Sequence, residues 1–153
     1  MSGHPGENAQ MRRTLLLLTL STALVFAANG PVHAELDVFQ SPSRGIACLY
    51  DDGEPDLKPN LTCEVSGYVG ALPIRPKDCD LDWESRATIF ATGRAGIGTC
   101  AGDTLMSPGA RILAYGTTYK RGPFSCLSTT AGMRCKNRSG VGFQISKRAI
   151  IRI

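Results

Sequence analysis

The sequence predicts an all-β fold: one small domain, an antiparallel β barrel or sandwich stapled by three disulfides. Three observations lead there. Short β-prone runs alternate with turn residues, and most of the 17 glycines and 9 prolines fall between those runs. Helical periodicity is weak along the chain. Six cysteines, at positions 48, 63, 79, 100, 126 and 135, all follow an N-terminal stretch that reads as an export signal.

That stretch, MRRTLLLLTLSTALVFAANGPVHA, starts basic at Arg12 and Arg13, runs apolar over residues 14–28 and closes on Val32-His33-Ala34. The last three form the small-residue pattern a signal peptidase reads, and Asn29-Gly30-Pro31 breaks the apolar run before it. The run is shorter than the roughly 18 residues a membrane span needs. No cysteine near the cut offers a lipid-attachment site, and Met11 can serve as the start. Residues 1–34 are therefore expected to leave as a signal peptide, with cleavage after Ala34. Residues 35–153 remain as a single cysteine-rich β domain, secreted or periplasmic, with no stable membrane anchor. An even cysteine count in an exported chain implies disulfides rather than metal or catalysis. No C-x-x-C occurs, and both histidines (His4 and His33) lie in the leader, so no metal site and no cofactor is expected.

Strands are expected at 36–40, 45–50, 61–66, 86–91, 111–115, 123–128, 133–137, 141–145 and 149–153. Their registers bring cysteines together. In PFSCLSTTAGMRCKN, a turn over residues 129–132 sets Ser128 against Met133 and so Cys126 opposite Cys135. In CLYDDGEPDLKPNLTC, pairing Tyr50 with Leu61 leaves a loop over residues 51–60 and sets Cys48 opposite Cys63. Directly opposed residues of antiparallel strands lie about 4.5–5.5 Å apart, within disulfide reach. Elimination leaves Cys79 with Cys100. Six cysteines allow fifteen connectivities, of which this register argument selects one.

In DCDLDWE (78–84), apolar residues and carboxylates alternate. A strand there sends Cys79, Leu81 and Trp83 to the core and Asp78, Asp80, Asp82 and Glu84 to the outer face. Residues 35–84 carry eleven acidic and four basic residues, whereas residues 85–153 carry eleven basic residues and the single acid Asp103. Either the two halves pair their charges, or the basic half meets an anionic partner. Candidate ligand-binding residues are Asp103, alone among cations, and the solvent-facing Arg134, Lys136 and Arg138. For Asp103 ordinary turn chemistry in Gly-Asp-Thr is the plainer reading. Arg111, Lys120, Arg121, Lys147 and Arg148 add to the basic half.

Common catalytic constellations are missing. Residues 35–153 hold no histidine to activate a serine, and GRAGIGTC fits neither a phosphate loop nor a dinucleotide fingerprint. No catalytic residue is assigned. Asp80 and Asp82 have the spacing of a glycosidase pair, but a convex strand face gives no cleft to split their pKa values. The acids of residues 51–56 can offer oxygen ligands to calcium without matching the EF-hand pattern. For both acidic stretches solvated surface is the plainer reading. Aromatic residues for base stacking are few, so nucleic acid is not expected as a partner.

The stretches FQSPSRGIAC (39–48), CDLDW (79–83), CAGDT (100–104), LAYG (113–116), GPFSC (122–126), GMRCKN (132–137) and GVGFQIS (140–146) resemble a family of small exported bacterial six-cysteine domains of unknown function. The resemblance implies export and a cysteine-rich domain, and no reaction. The expected function is a non-enzymatic, disulfide-stabilised binding module for an anionic envelope polymer or an envelope protein. The alternatives are an inhibitor of a secreted hydrolase, acting through the 51–60 loop, and a carboxylate-based glycosidase.

Overall fold

The computed structural model describes residues 36–53 and 57–153. Residues 1–35 and Glu54, Pro55 and Asp56 lie outside them, so the expected cleavage site and the tip of the acidic loop fall outside the described residues. Among the described residues there are eleven strands and no helix. A six-stranded sheet has the order β5-β4-β3-β2-β1-β6, built from β1 (Leu36–Gln40), β2 (Ile46–Asp51), β3 (Asn60–Val65), β4 (Asp82–Phe90), β5 (Gly96–Ala101) and β6 (Arg111–Ile112). A five-stranded sheet has the order β11-β10-β9-β8-β7, from β7 (Thr118–Arg121), β8 (Phe124–Thr129), β9 (Gly132–Lys136), β10 (Gly142–Ile145) and β11 (Ile150–Arg152). The sheets do not close into a barrel; the fold is a sandwich. All pairings are antiparallel except β1 with β6.

Alternation along the strands builds the core. Ile46, Cys48 and Tyr50 of β2 and Leu61, Cys63 and Val65 of β3 point inward, and meet Phe124, Cys126, Met133, Cys135, Phe143 and Ile145 of the second sheet. All three expected disulfides form: Cys48–Cys63, Cys79–Cys100 and Cys126–Cys135. The first and third join opposed residues at a Cα separation of 4.0 Å each. They also touch across the sandwich, with Cys63 Sγ 3.7 Å from Cys135 Sγ. Cys48, Cys63 and Cys135 thus cluster through packing, with every sulfur already bonded to another.

DCDLDWE is not one strand. Only from Asp82 does the chain pair with β5; a turn over residues 76–79 comes before it, closed by Cys79 N donating to the Pro76 carbonyl at 3.2 Å, and the Arg75 guanidinium donates to the carbonyls of Cys79 and Leu81. Cys79 is buried as alternation requires, but Leu81 is 54% exposed and Trp83 only partly buried. Trp83 lies against Gly98 of β5 and donates its indole N–H to the Pro73 carbonyl at 2.9 Å. Gly98 has φ +82°, and a Cβ there would overlap the Trp83 ring. Gly98→Ala therefore adds left-handed strain to a displaced ring. A loss of about 1–3 kcal/mol is expected, read as a lower Tm together with a red shift of the chain's single tryptophan; unchanged fluorescence would contradict the contact.

β5 and β6 form opposite edges of the six-stranded sheet, so residues 102–110 must cross it. Five strand spacings amount to about 24 Å, and nine residues reach about 30 Å, so this strap is long enough to cross, and it ends in a turn where Ala110 N donates to the Ser107 carbonyl at 3.1 Å. It crosses the outer face, where Glu64, Arg86 and Gln40 alternate with core residues. Glu64 Oε1 accepts from the Thr104 hydroxyl at 2.6 Å, and Oε2 from the Leu105 amide at 2.8 Å. Arg86 pairs with Glu64 at 2.8 Å and donates to the Asp103 carbonyl. Gln40 Nε2 donates to the Ser107 carbonyl at 2.7 Å. Cover by the strap explains why these three polar side chains are buried on what would otherwise be a wet face.

Candidate functional site

Residues 104–153 contain no Asp or Glu, so the second sheet is built entirely without carboxylate side chains. Its inward positions are taken by Tyr119, Phe124, Cys126, Met133, Cys135, Phe143 and Ile145, which leaves Lys120, Arg134 and Lys136 for the outer face. Register arranges them in rows. Lys120, Ser125 and Lys136 stand side by side across β7, β8 and β9. Leu127, Arg134, Gln144 and Ile151 form the neighbouring row. Lys120 and Lys136 are two strand spacings apart, about 10 Å, and Arg134 is two residues along β9 from Lys136, about 7 Å. Thr118, Ser125, Leu127, Arg134 and Lys136 line a shallow hollow of about 280 Å³.

Of the predicted site residues, Arg134 and Lys136 share this face. Arg138 lies in the exposed turn after β9, at the end of the sheet. Asp103 is apart from them, on the strap over the other sheet, and its backbone carbonyl rather than its carboxylate makes the contact, to Arg86.

The two halves of the chain pair their charges in part. Asp37 of β1 takes Arg111 at 3.2 Å and Arg121 at 3.4 Å, and Glu64 takes Arg86. Arg111 also lies over the ring of Tyr119, which stacks on Phe39 at 4.2 Å, so this charge cluster closes one edge of the sandwich. Burial, and then the Asp37 carboxylate, push the Tyr119 hydroxyl well above the usual phenol range, so it stays protonated. Among the described residues, none of Lys120, Arg134, Lys136, Arg138, Lys147 or Arg148 is ion-paired, and neither are Asp78, Asp80, Asp82 or Glu84. Asp82 and Glu84 thus stay unpaired on β4 of one sheet, while Lys120, Arg134 and Lys136 stay unpaired on the other.

Asp51 is structural: its Oδ1 accepts from the Gly53 amide at 2.8 Å and its Oδ2 from the Asn60 side chain at 3.4 Å, which closes the start of the acidic loop. Sequence reasoning missed Asp37 and Glu64 as the acids that meet the basic half. Each is an isolated carboxylate in an apolar run, and a charge placed inside a strand pattern was the available signal.

Two packed sheets, three bridges and one unneutralised cationic face define a small disulfide-stapled β-sandwich domain, of a kind suited to an oxidising compartment. A family model described as Family of unknown function (DUF6636) matches residues 16–152, and the chain belongs to that family. No curated protein and no solved structure matches the chain.

Proposed function

We propose that the chain is exported, loses residues 1–34, and acts outside the cytoplasm as a non-enzymatic binding module for an anionic envelope polymer, held on the outer face of the five-stranded sheet. The observation that carries this reading is the set of unpaired cations Lys120, Arg134 and Lys136 on a sheet without a single carboxylate. Unpaired cations at intervals of about 7–10 Å suit a linear polyanion, whose charges repeat along its length, better than a single small anion. The face carries no aromatic ring among its outer positions, which favours contacts to acid groups over base stacking. Export is supported by the leader-like stretch and by the disulfides, which persist in oxidising compartments. A basic surface of this kind also fits an acidic envelope protein, and the test separates the two.

Retention on immobilised heparin and on dextran sulfate, with neutral dextran as reference, measures the property directly. Retention that falls steeply with salt is expected for the native chain. Arg134→Glu, Lys136→Glu and Arg138→Glu together should weaken it at least about tenfold at low salt, whereas Lys58→Glu, in the loop after β2, should leave it unchanged. Equal retention of the triple variant would refute the reading. Retention by acidic proteins but by neither polyanion would move it to a protein partner.

A further inference from the structure

At one end of the sandwich the turns of both sheets surround a crevice of about 540 Å³, within the size range of small-molecule sites. Four of the stretches that carry the family resemblance contribute to its walls: 39–48, 113–116, 132–137 and 140–146. Hydrogen bonds between the turns fix its frame. Ser66 N donates to the Gly45 carbonyl at 2.9 Å, which ties the end of β3 to the β1–β2 turn. Val69 N donates to the Lys147 carbonyl at 3.0 Å, which ties the first sheet to the β10–β11 turn of the second.

The lining is chemically one-sided. Arg44 and Lys147 are its charged residues, and no carboxylate lines it. Arg44 has φ +57°, the one non-glycine residue in the left-handed region among those described. A long side chain is seldom kept in that conformation, where glycine or asparagine fits more readily. The turn is closed by Arg44 N donating to the Ser41 carbonyl at 2.8 Å, and Arg44 Nη1 donates to the Pro108 carbonyl of the strap at 3.0 Å. Nη1 is thus tied to the strap, while Nε and Nη2 make no hydrogen bond among the described residues. Lys147 Nζ, the Ser66 and Thr130 hydroxyls and the Tyr115 hydroxyl make no side-chain hydrogen bond among the described residues. Tyr115, 42% exposed, stands in the wall, while Ile46 and Val65 supply apolar lining.

From this combination we infer that the crevice is a binding site for an acidic sugar: one pyranose ring bearing a carboxylate or a phosphate. Lys147 and Arg44 take the acid group, Ser66 and Thr130 exchange hydrogen bonds with ring hydroxyls, and the Tyr115 face covers the ring's C–H side. The absence of a carboxylate in the lining sets the preference for an anion, and the free hydroxyls beside an aromatic face set the preference for a polyol over a bare ion. The inference does not depend on the sheet-face reading, since Lys120, Lys136 and Arg138 take no part in the crevice.

Titration of the ¹⁵N-labelled chain, produced from its full sequence, with glucuronate, glucose 6-phosphate, glucose and inorganic phosphate tests it. Glucuronate, glucose 6-phosphate or both should shift the amides of Ser66, Gly67, Thr130, Ala131 and Lys147 in a saturable way, and which of them binds tighter tells whether the acid is a carboxylate or a phosphate. Glucose and inorganic phosphate should bind at least about tenfold more weakly. Lys147→Gln should weaken the preferred sugar about tenfold, the effect of losing one charge-assisted contact, and Tyr115→Ala should weaken it as well. Both side chains are exposed, so each variant should keep the native spectrum away from the crevice. No saturable shift at those amides, equal binding of glucose or of inorganic phosphate, or an unaltered affinity in Lys147→Gln would each overturn the inference.

Discussion

Glu64→Ala is expected to lower the stability of the domain by about 3–5 kcal/mol, the range for removing one partner from a buried ion pair. Arg86 would be left buried, with a carbonyl but no counter-charge. The Thr104 hydroxyl and the Leu105 amide would lose their acceptor at the same stroke. Three groups, the guanidinium of Arg86 on β4 and the Thr104 hydroxyl and Leu105 amide on the strap, depend on this one carboxylate, so its loss is felt well beyond the pair itself. The strap is the first element to suffer, because apart from Arg86 to the Asp103 carbonyl its ties, Gln40 to Ser107 and Arg44 to Pro108, sit toward the β6 edge. β6 is only two residues long and pairs in parallel with β1, so it relies on the strap to reach its place. Urea denaturation should therefore show a lower midpoint, and hydrogen exchange should rise first at residues 103–107. Replacing both partners with apolar residues of similar size, Glu64→Leu with Arg86→Met, should cost less than Glu64→Ala alone, since no charge is then stranded. A loss below about 1 kcal/mol for the single variant, as for an exposed pair, would show that the pair is solvated in solution.

The elements that could be read from the chain are those whose information is local. Two bridges were legible because each lies inside one hairpin, where counting back from the turn fixes which residues face one another: Ser128 with Met133, Tyr50 with Leu61. The third followed by elimination. β5 and β7 escaped notice for opposite reasons. Gly96 and Gly98 dilute β5, which owes its strand to pairing with β4 and to the bridge at Cys100. Lys120 and Arg121 make half of β7 look like a basic turn, although Gly122-Pro123 is the turn itself. Alternation over-reached in DCDLDWE, where it cannot tell a strand from a turn that happens to place a cysteine inward. The buried polar face was beyond reach altogether. Glu64 is covered by residues forty positions away, and only the edge-to-edge crossover makes them neighbours. The cationic face was half legible: its residues could be named, but that they stay unpaired depends on Asp37 and Glu64 absorbing other arginines. The crevice draws on turns of both sheets, and no single stretch of sequence carries its pattern.

Complete reduction of the three disulfides is expected to unfold the domain, and the bridges should open in a set order. Their sequence separations are 15, 21 and 9 residues for Cys48–Cys63, Cys79–Cys100 and Cys126–Cys135. Loop-closure entropy alone assigns them about 3.0, 3.3 and 2.6 kcal/mol, about 9 in all. That total is as large as the whole stability of a typical domain, about 5–15 kcal/mol. The order follows from burial rather than from loop length. Cys100 is exposed on β5, so a reductant reaches its sulfur in the folded molecule. The other two bridges are fully buried and packed on each other across the sandwich, so thiol exchange there must wait for the sheets to separate. Brief reduction followed by iodoacetamide labelling and peptide mass spectrometry should find Cys79 and Cys100 modified first, while near-ultraviolet circular dichroism is still native. Cys48, Cys63, Cys126 and Cys135 should then appear together, in step with loss of that signal, because opening the core exposes both bridges at once. Labelling of Cys126 and Cys135 at the rate of Cys100 would mean that the second sheet opens alone, and that the two sheets do not share one cooperative core.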